Sequence, residues 1–330
     1  MEAPRNGFLS PQEAFAALAA TPPSPRPETP DEGPRLELKG CCQFFTDDYG
    51  RSFEVVKDIS FTVEGNKVVA LLGPSGCGKS TILRMISGLY GRGQAPMPSV
   101  GEVTLNGVKT EGPRTEVLTV FQAPVLVRWQ TLLGNVLLSF KSGVRQPRHR
   151  YPWEVAQDWA ALGTRRITGK WHVPLSPLSK DIRDRSVAIL EDVGLGDAMH
   201  KRPHQLSGGM RQRGSLATVL AVRPKVMCMD EPHSALDPTT KHQMRALLKD
   251  LRRKYPCLIL LVTHDVSEAL ELADRVIVLS AKPATIVGDF LLPEERPANW
   301  LASPEYMALE ANVLQVIREA KGVGTIRVGV

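Results

Sequence analysis

Apolar positions along the chain fall into short runs of strand length, separated by turn residues and by stretches with helical spacing. Leu36-Glu-Leu-Lys begins an alternating strand. Phe44 and Phe45 follow before the polar turn Asp47–Gly50, and Phe53–Val63 alternates again. The turn Glu64-Gly65-Asn66 leads into Val68–Leu72, a continuous apolar run that reads as a buried strand. Ile82, Met85, Ile86 and Leu89 then recur at helical spacing, so a helix opens just after Lys79. Gly101–Val108 reads as a hairpin and Val117–Phe121 as a strand ending at Gln122. From Ala123 to about His204 the pattern is helical and less regular. Beyond it, Lys225–Met229, Leu258–Val262 and Val276–Leu279 read as strands, Thr239–Lys254 as an amphipathic helix and Val266–Ala273 as a further helix. Past Leu292, the spacing of Tyr306, Leu309, Val313, Leu314 and Ile317 predicts a terminal helix packed on the domain. Strands alternating with helices predict an α/β fold with a mostly parallel sheet.

The length, 330 residues, is enough for one large domain with appendages and a substantial core. The net charge of +6 is modest and permits contact with an anionic surface without demanding it. Five cysteines without a C-x-x-C spacing read as reduced thiols, with Cys41–Cys42 a strand pair rather than a ligand set. No apolar run approaches the roughly 18 residues that span a bilayer. Ala14–Ala20 lacks a basic lead-in and makes a poor signal peptide, so the chain is expected to be soluble by itself. Residues 1–34 are rich in Pro and Ala and are expected to be disordered, with a short helix over Pro11–Ala20 as an alternative. The stretch from about 142 to 180 interleaves basic residues with Trp153, Trp159 and Trp171. Such a stretch can bind single strands, a partner protein or lipid head groups. With no nucleic-acid module in sight, the preferred reading is a solvated insertion, and no nucleic-acid partner is expected.

The chemistry begins after the Val68–Leu72 strand. Gly73-Pro74-Ser75-Gly76-Cys77-Gly78-Lys79-Ser80 matches G-x-x-x-x-G-K-[ST] between a strand and a helix, with Thr81 the next residue of that helix. Gly76 and Gly78 let the loop curl its backbone N–H groups around a phosphate. The helix N-terminus adds partial positive charge, Lys79 reaches the β and γ phosphates, and the Ser80 hydroxyl can ligate Mg²⁺. At the end of the Lys225–Met229 strand, Asp230 suits Mg²⁺, directly or through water, and Glu231 suits the general base that polarises the attacking water. Leu206-Ser207-Gly208-Gly209-Met210 places a hydroxyl and two glycines before another helix. It reads either as a second anion site or as a helix cap with glycines. Two such loops cannot easily serve one γ phosphate within one chain, so an anion site here points to a second copy.

Together, Gly73–Ser80, Gln122, the Ser207–Met210 element, Asp230–Glu231, Ser234-Ala-Leu-Asp237 and His264 stand in an order that resembles an ABC-type ATPase domain over about residues 35–290. The resemblance implies a P-loop NTPase fold with a mostly parallel core sheet, an antiparallel β subdomain and a helical subdomain inserted at about 123–205. The remaining 291–330 form a helical tail. It implies ATP with Mg²⁺, sandwiched between the phosphate loop of one copy and Ser207-Gly208-Gly209 of another. Phe45 resembles the aromatic that stacks on adenine, Gln122 the residue linking Mg²⁺ to the transporter-facing region, Asp237 the dimer-communication residue and His264 the switch histidine on the γ phosphate. Glu231, His264 and Lys79 are thus the catalytic candidates, with Ser80, Gln122 and Asp230 at the metal.

The run Phe121–Val136, with Trp129 within it, is similar to the importer ATPases for nitrate, taurine and aliphatic sulfonates. The long 142–180 insertion and His233, where an apolar residue is common, depart from the family pattern. The resemblance implies the ATP-hydrolysing subunit of an importer, peripheral on the cytoplasmic face of the plasma (inner) membrane. Its expected partners are a membrane permease, a second copy or a paralogous ATPase and, indirectly, a periplasmic or extracellular solute-binding protein. The alternative is a soluble ABC ATPase of DNA repair or translation, a group that usually carries paired nucleotide domains, long coiled coils or zinc modules.

Overall fold

A computed structural model describes residues 33–89, 98–144, 180–234, 236–294, 296–297 and 299–322. The readings of residues 1–32, including the helix over Pro11–Ala20, and of the basic stretch 145–179 lie outside the described residues. Every element below belongs to one unit, Gly33–Val330.

The alternating N-terminal segments form β1 (Arg35–Thr46) and β2 (Ser52–Glu64), an antiparallel pair closed by the turn in which Asp47 accepts from the Tyr49 and Arg51 backbone N–H groups. β4 (Val100–Leu105) and β5 (Val108–Lys109) form the hairpin expected at 101–108, turning through Asn106 and Gly107 at positive φ. β4 adds to β1, giving an antiparallel sheet of order β2-β1-β4-β5.

The second sheet has the order β10-β9-β3-β8-β7-β6. It contains β3 (Val68–Leu72), β6 (Val117–Val120), β7 (Val226–Asp230), β8 (Leu258–Val262) and β9 (Arg275–Leu279), all parallel, with β10 (Ile286–Leu291) antiparallel on one edge. The mostly parallel sheet is therefore as the pattern predicts. Its central strands are apolar throughout because both faces are covered. On β3, Val68, Ala70 and Leu72 face one core while Val69 and Leu71 face the other. Burying each such Leu or Val contributes about 1.5–3 kcal/mol.

The core on one face joins the two sheets around α1 (Lys79–Ser87), whose Ile82, Met85 and Ile86 are fully buried. Backbone hydrogen bonds between Val55, Lys57 and Ala284 stitch the sheets together. The other core lies under α2 (Leu132–Val144), α3 (Lys180–Asp192), α4 (Gly208–Ala221), α5 (Pro238–Lys254), α6 (Val266–Leu272) and α7 (Pro304–Gly322). Tyr306 and Val313 of α7 are buried in it, and Trp300 meets Tyr306 edge-on at 5.9 Å between ring centroids.

α1 ends where Gly88 adopts the left-handed conformation (φ 66°) and donates to Arg84 and Met85 carbonyls. A Cβ there would lie 2.2 Å from the Gly112 carbonyl oxygen. Gly88→Ala therefore combines left-handed strain with a backbone clash, an expected loss of about 2–5 kcal/mol. Thermal unfolding followed by circular dichroism should show a fall of at least several degrees; an unchanged midpoint would contradict this packing.

Candidate functional site

The site is assembled at the C-terminal ends of parallel strands, where loops from β3, β6, β7 and β8 emerge. The loop Gly73–Gly78 leaves β3 and runs directly into α1. Gly78 (φ 128°) is packed so closely that a Cβ would lie 3.1 Å from the Val55 carbonyl oxygen. Pro74 is half-buried, Ser75 and Gly76 are exposed, and Cys77 is buried beneath them with its thiol pKa pushed up by that burial, so Cys77 packs rather than reacts. Lys79 is 5% exposed, and its Nζ donates to the Gly73 and Pro74 carbonyls at 2.8 and 2.9 Å. The ammonium is thus folded across the loop's own concavity. Thr81 is half-buried two residues further on.

At the second residue of α1, the Ser80 hydroxyl donates to Asp230 Oδ1 at 3.0 Å, joining residues 150 apart in sequence. Burial raises the Asp230 pKa, an effect partly offset by that hydroxyl. The pair forms a hard oxygen donor set of one carboxylate and one hydroxyl. Mg²⁺ commonly uses such a partial set and takes its other ligands from phosphates and water. The donors present fit that ion.

Glu231 continues β7 into a strained turn, with φ at 44°. A left-handed non-glycine residue costs roughly 1–2 kcal/mol and persists only where its surroundings hold it. Its N–H donates to the Val262 carbonyl on the neighbouring strand, and its carbonyl accepts from the Ser234 N–H and hydroxyl. The Glu231 carboxylate lies 3.2 Å from His264 Nδ1, at the end of β8. Gln122, just beyond β6, donates through Nε2 to the Ser234 hydroxyl at 3.0 Å. Gln122, Ser234 and Glu231 are therefore linked in series.

Phe45 is half-buried at the end of β1, 6.3 Å from the Phe53 ring and packed against the core that contains Cys77. Lys282 Nζ lies 6.0 Å over Phe53.

Ser207, Gly208 and Gly209 open α4, where the Ser207 hydroxyl caps the helix by accepting from Met210 N–H at 3.2 Å. Asp237 caps α5 in the same way, accepting from Thr240 N–H at 3.0 Å. The Thr240 hydroxyl also donates to it and holds its carboxyl below the usual range. These two helix starts line one open cavity of about 510 Å³. None of the described residues lining it comes from the phosphate loop. Ser207 is a helix cap, and it stays exposed at the positive end of that helix.

Four side chains at the site carry no assignable role in their local sequence. Ser234 was quoted only as part of a motif, although it bridges Gln122 and Glu231. Glu268 and Thr263 are buried beside the site, and His233 was visible only as an odd residue for its position. The signal was that departure.

Comparison with known proteins gives a consistent picture. A family model described as ABC transporter matches residues 56–234. The nitrate import ATP-binding protein NrtD of Synechococcus elongatus is 32% identical over 80% of this chain and 85% of its own length. The bicarbonate transport ATP-binding protein CmpC of Synechocystis is 31% identical over 84% of this chain, which spans 37% of that longer relative. Among solved structures, a dimeric post-hydrolysis state of the ATP-binding cassette MJ0796 bound to ADP and Pi is 25% identical. It has a TM-score of 0.58 over 79% of this chain and 100% of that one.

Proposed function

This chain belongs to the ABC transporter family and carries its ATP-binding, ATP-hydrolysing domain, and from that premise we propose that it energises uptake of a small anion, of the nitrate or bicarbonate class, through a separate membrane permease. The observation that carries the reading is the convergence of Lys79, Ser80–Asp230 and Glu231–His264 around one loop. The similarity to import ATP-binding proteins favours this over a soluble ATPase of DNA repair or translation.

ATP phosphates enter the loop against the N-terminus of α1, and Lys79 exchanges the Gly73 and Pro74 carbonyls for phosphate oxygens. Ser80 and Asp230, with Gln122, would hold Mg²⁺, which would neutralise charge on the phosphates when bound. Phe45 stacks on adenine from the end of β1. Glu231 takes the proton from a water whose oxygen attacks the γ phosphorus. The bond to the β–γ bridging oxygen then breaks, releasing ADP and phosphate. His264, 54% exposed, turns from Glu231 toward the γ phosphate. A second copy or a paralogue supplies Ser207–Gly209 across the nucleotide, with Asp237 at the same interface.

No helix among the described residues is long and apolar enough to cross a membrane, and the proposed place is peripheral, on the cytoplasmic face beneath the permease. Val125 and Trp129, 65% and 55% exposed on the segment after Gln122, offer apolar surface for that contact. The solute-binding protein then acts only through the permease. The test is affinity purification of the Glu231→Gln full chain with ATP in mild detergent, followed by mass spectrometry. A multi-span permease is expected; ribosomal or DNA-repair proteins in its place would overturn the importer reading.

A further inference from the structure

Beside the proposed catalytic residues lies a buried polar cluster that neither nucleotide binding nor proton transfer uses. His233, Thr263 and Glu268 are each at most 4% exposed. Glu268, on α6, divides its carboxylate between two partners. Oε1 accepts from His233 Nδ1, and Oε2 accepts from the Thr263 hydroxyl at 2.5 Å. The Thr263 oxygen in turn accepts from the Asp265 backbone N–H at 3.1 Å, so it clasps the turn that contains His264. Burial would raise the Glu268 pKa, but the hydrogen bonds from His233 and Thr263 and the charge of Arg245 more than offset it. His233 Nε2 is buried without a partner. The Glu268 carboxylate only accepts, so His233 Nδ1 is the donor of their hydrogen bond.

The cluster's position gives it a role. His233 is two residues after Glu231, and Thr263 is the residue before His264. Glu268 therefore ties together the two turns that carry the proposed base and its histidine. Glu231 needs such support, because its left-handed backbone persists only where surrounding contacts determine it. Pro232 follows it and contributes no N–H to hold the turn. Other ties on this segment are the bonds to Val262, within Glu231–Ser234, from Gln122 to the Ser234 hydroxyl and from the Leu236 N–H to the His233 carbonyl.

We propose that His233 and Glu268 are a positioning pair whose buried hydrogen bond, continued through Thr263, holds the Glu231 carboxylate in register with His264 and so sets the turnover rate without contributing to ATP affinity. The proposal rests on the assignment of Glu231 and His264 to hydrolysis. A misplaced base slows the chemical step, whereas the phosphate loop lies on a different strand and keeps its contacts.

The test is steady-state hydrolysis of MgATP by the full chain, with separate measurement of ATP binding. His233→Phe keeps a ring of similar volume and removes the donor; it should lower kcat by about tenfold or more and leave KM for ATP within about twofold. His233→Asn places an amide N–H where Nδ1 stands and should return kcat to within about threefold of the native value. A purely packing role predicts the opposite order, since Asn fills the cavity worse than Phe. A native kcat in the Phe variant, or an Asn variant no better than Phe, would overturn the pair. If the Phe variant does not bind ATP, Glu268→Met decides in its place. It keeps a side chain of similar length and removes both acceptor oxygens, and a kcat within about twofold of native would sink the proposal. Near-native hydrolysis by Glu231→Gln would instead remove the underlying assignment, so the two failures are told apart.

Discussion

Glu231→Gln is expected to lower kcat for ATP hydrolysis by about 10²–10⁴-fold, the range that a positioned general base supplies, while ATP affinity stays within about threefold. That loss corresponds to about 3–5.5 kcal/mol of barrier. Glutamine has the same shape, and its amide takes the place of the carboxylate 3.2 Å from His264 Nδ1. It also tolerates the φ of 44° no worse than glutamate, so the fold should be untouched. What disappears is the ability to take a proton from water. Single-turnover hydrolysis and equilibrium binding of ATP separate the two effects. Hydrolysis near the native rate would remove Glu231 from the role of base and pass it to another group near the Ser80–Asp230 pair.

Ser207→Arg is expected to reduce hydrolysis by at least about 100-fold while each monomer still binds ATP. Ser207 is exposed and makes its hydrogen bond to Met210 within its own helix start, so the change should leave the core intact. Loss of the cap costs about 1 kcal/mol. The guanidinium then projects from the positive end of α4, where a phosphate held by the partner copy has to approach. Ser207→Ala removes the cap alone and serves as the control. Sedimentation in the presence of ATP, on a Glu231→Gln background that prevents turnover, should show a dimer for Ser207 and Ser207→Ala and a monomer for Ser207→Arg. A dimer for Ser207→Arg, or full activity in it, would contradict a site shared between two chains.

Much of this site was legible in local pattern. Leu258–Val262 was matched residue for residue because a run buried on both sides of a parallel sheet is apolar without interruption. The phosphate loop was legible because a strand, two left-handed glycines and a helix start are all local features. β10 was not anticipated. Its residues alternate between half-buried and exposed, and the strand exists because Ile286–Leu291 pairs antiparallel with β9 on the sheet edge. His264 in isolation carried no chemical signal. Its meaning comes from Glu231, 33 residues earlier in sequence and on the adjacent strand.

By itself the sequence determined the elements, the order of the strands and helices along the chain, and the short motifs whose residues act on their immediate neighbours. These depend on backbone preference and on the periodic placement of apolar side chains, both of which operate over a few residues. Tertiary structure alone decided which distant groups meet: Ser80 with Asp230, Gln122 with Ser234, Glu231 with His264, and Glu268 with both His233 and Thr263. Each meeting depends on the parallel sheet, whose register sets the strand ends from which these loops and helices start. A shift of one residue turns every side chain to the opposite face, and nothing within either segment specifies the register of the other.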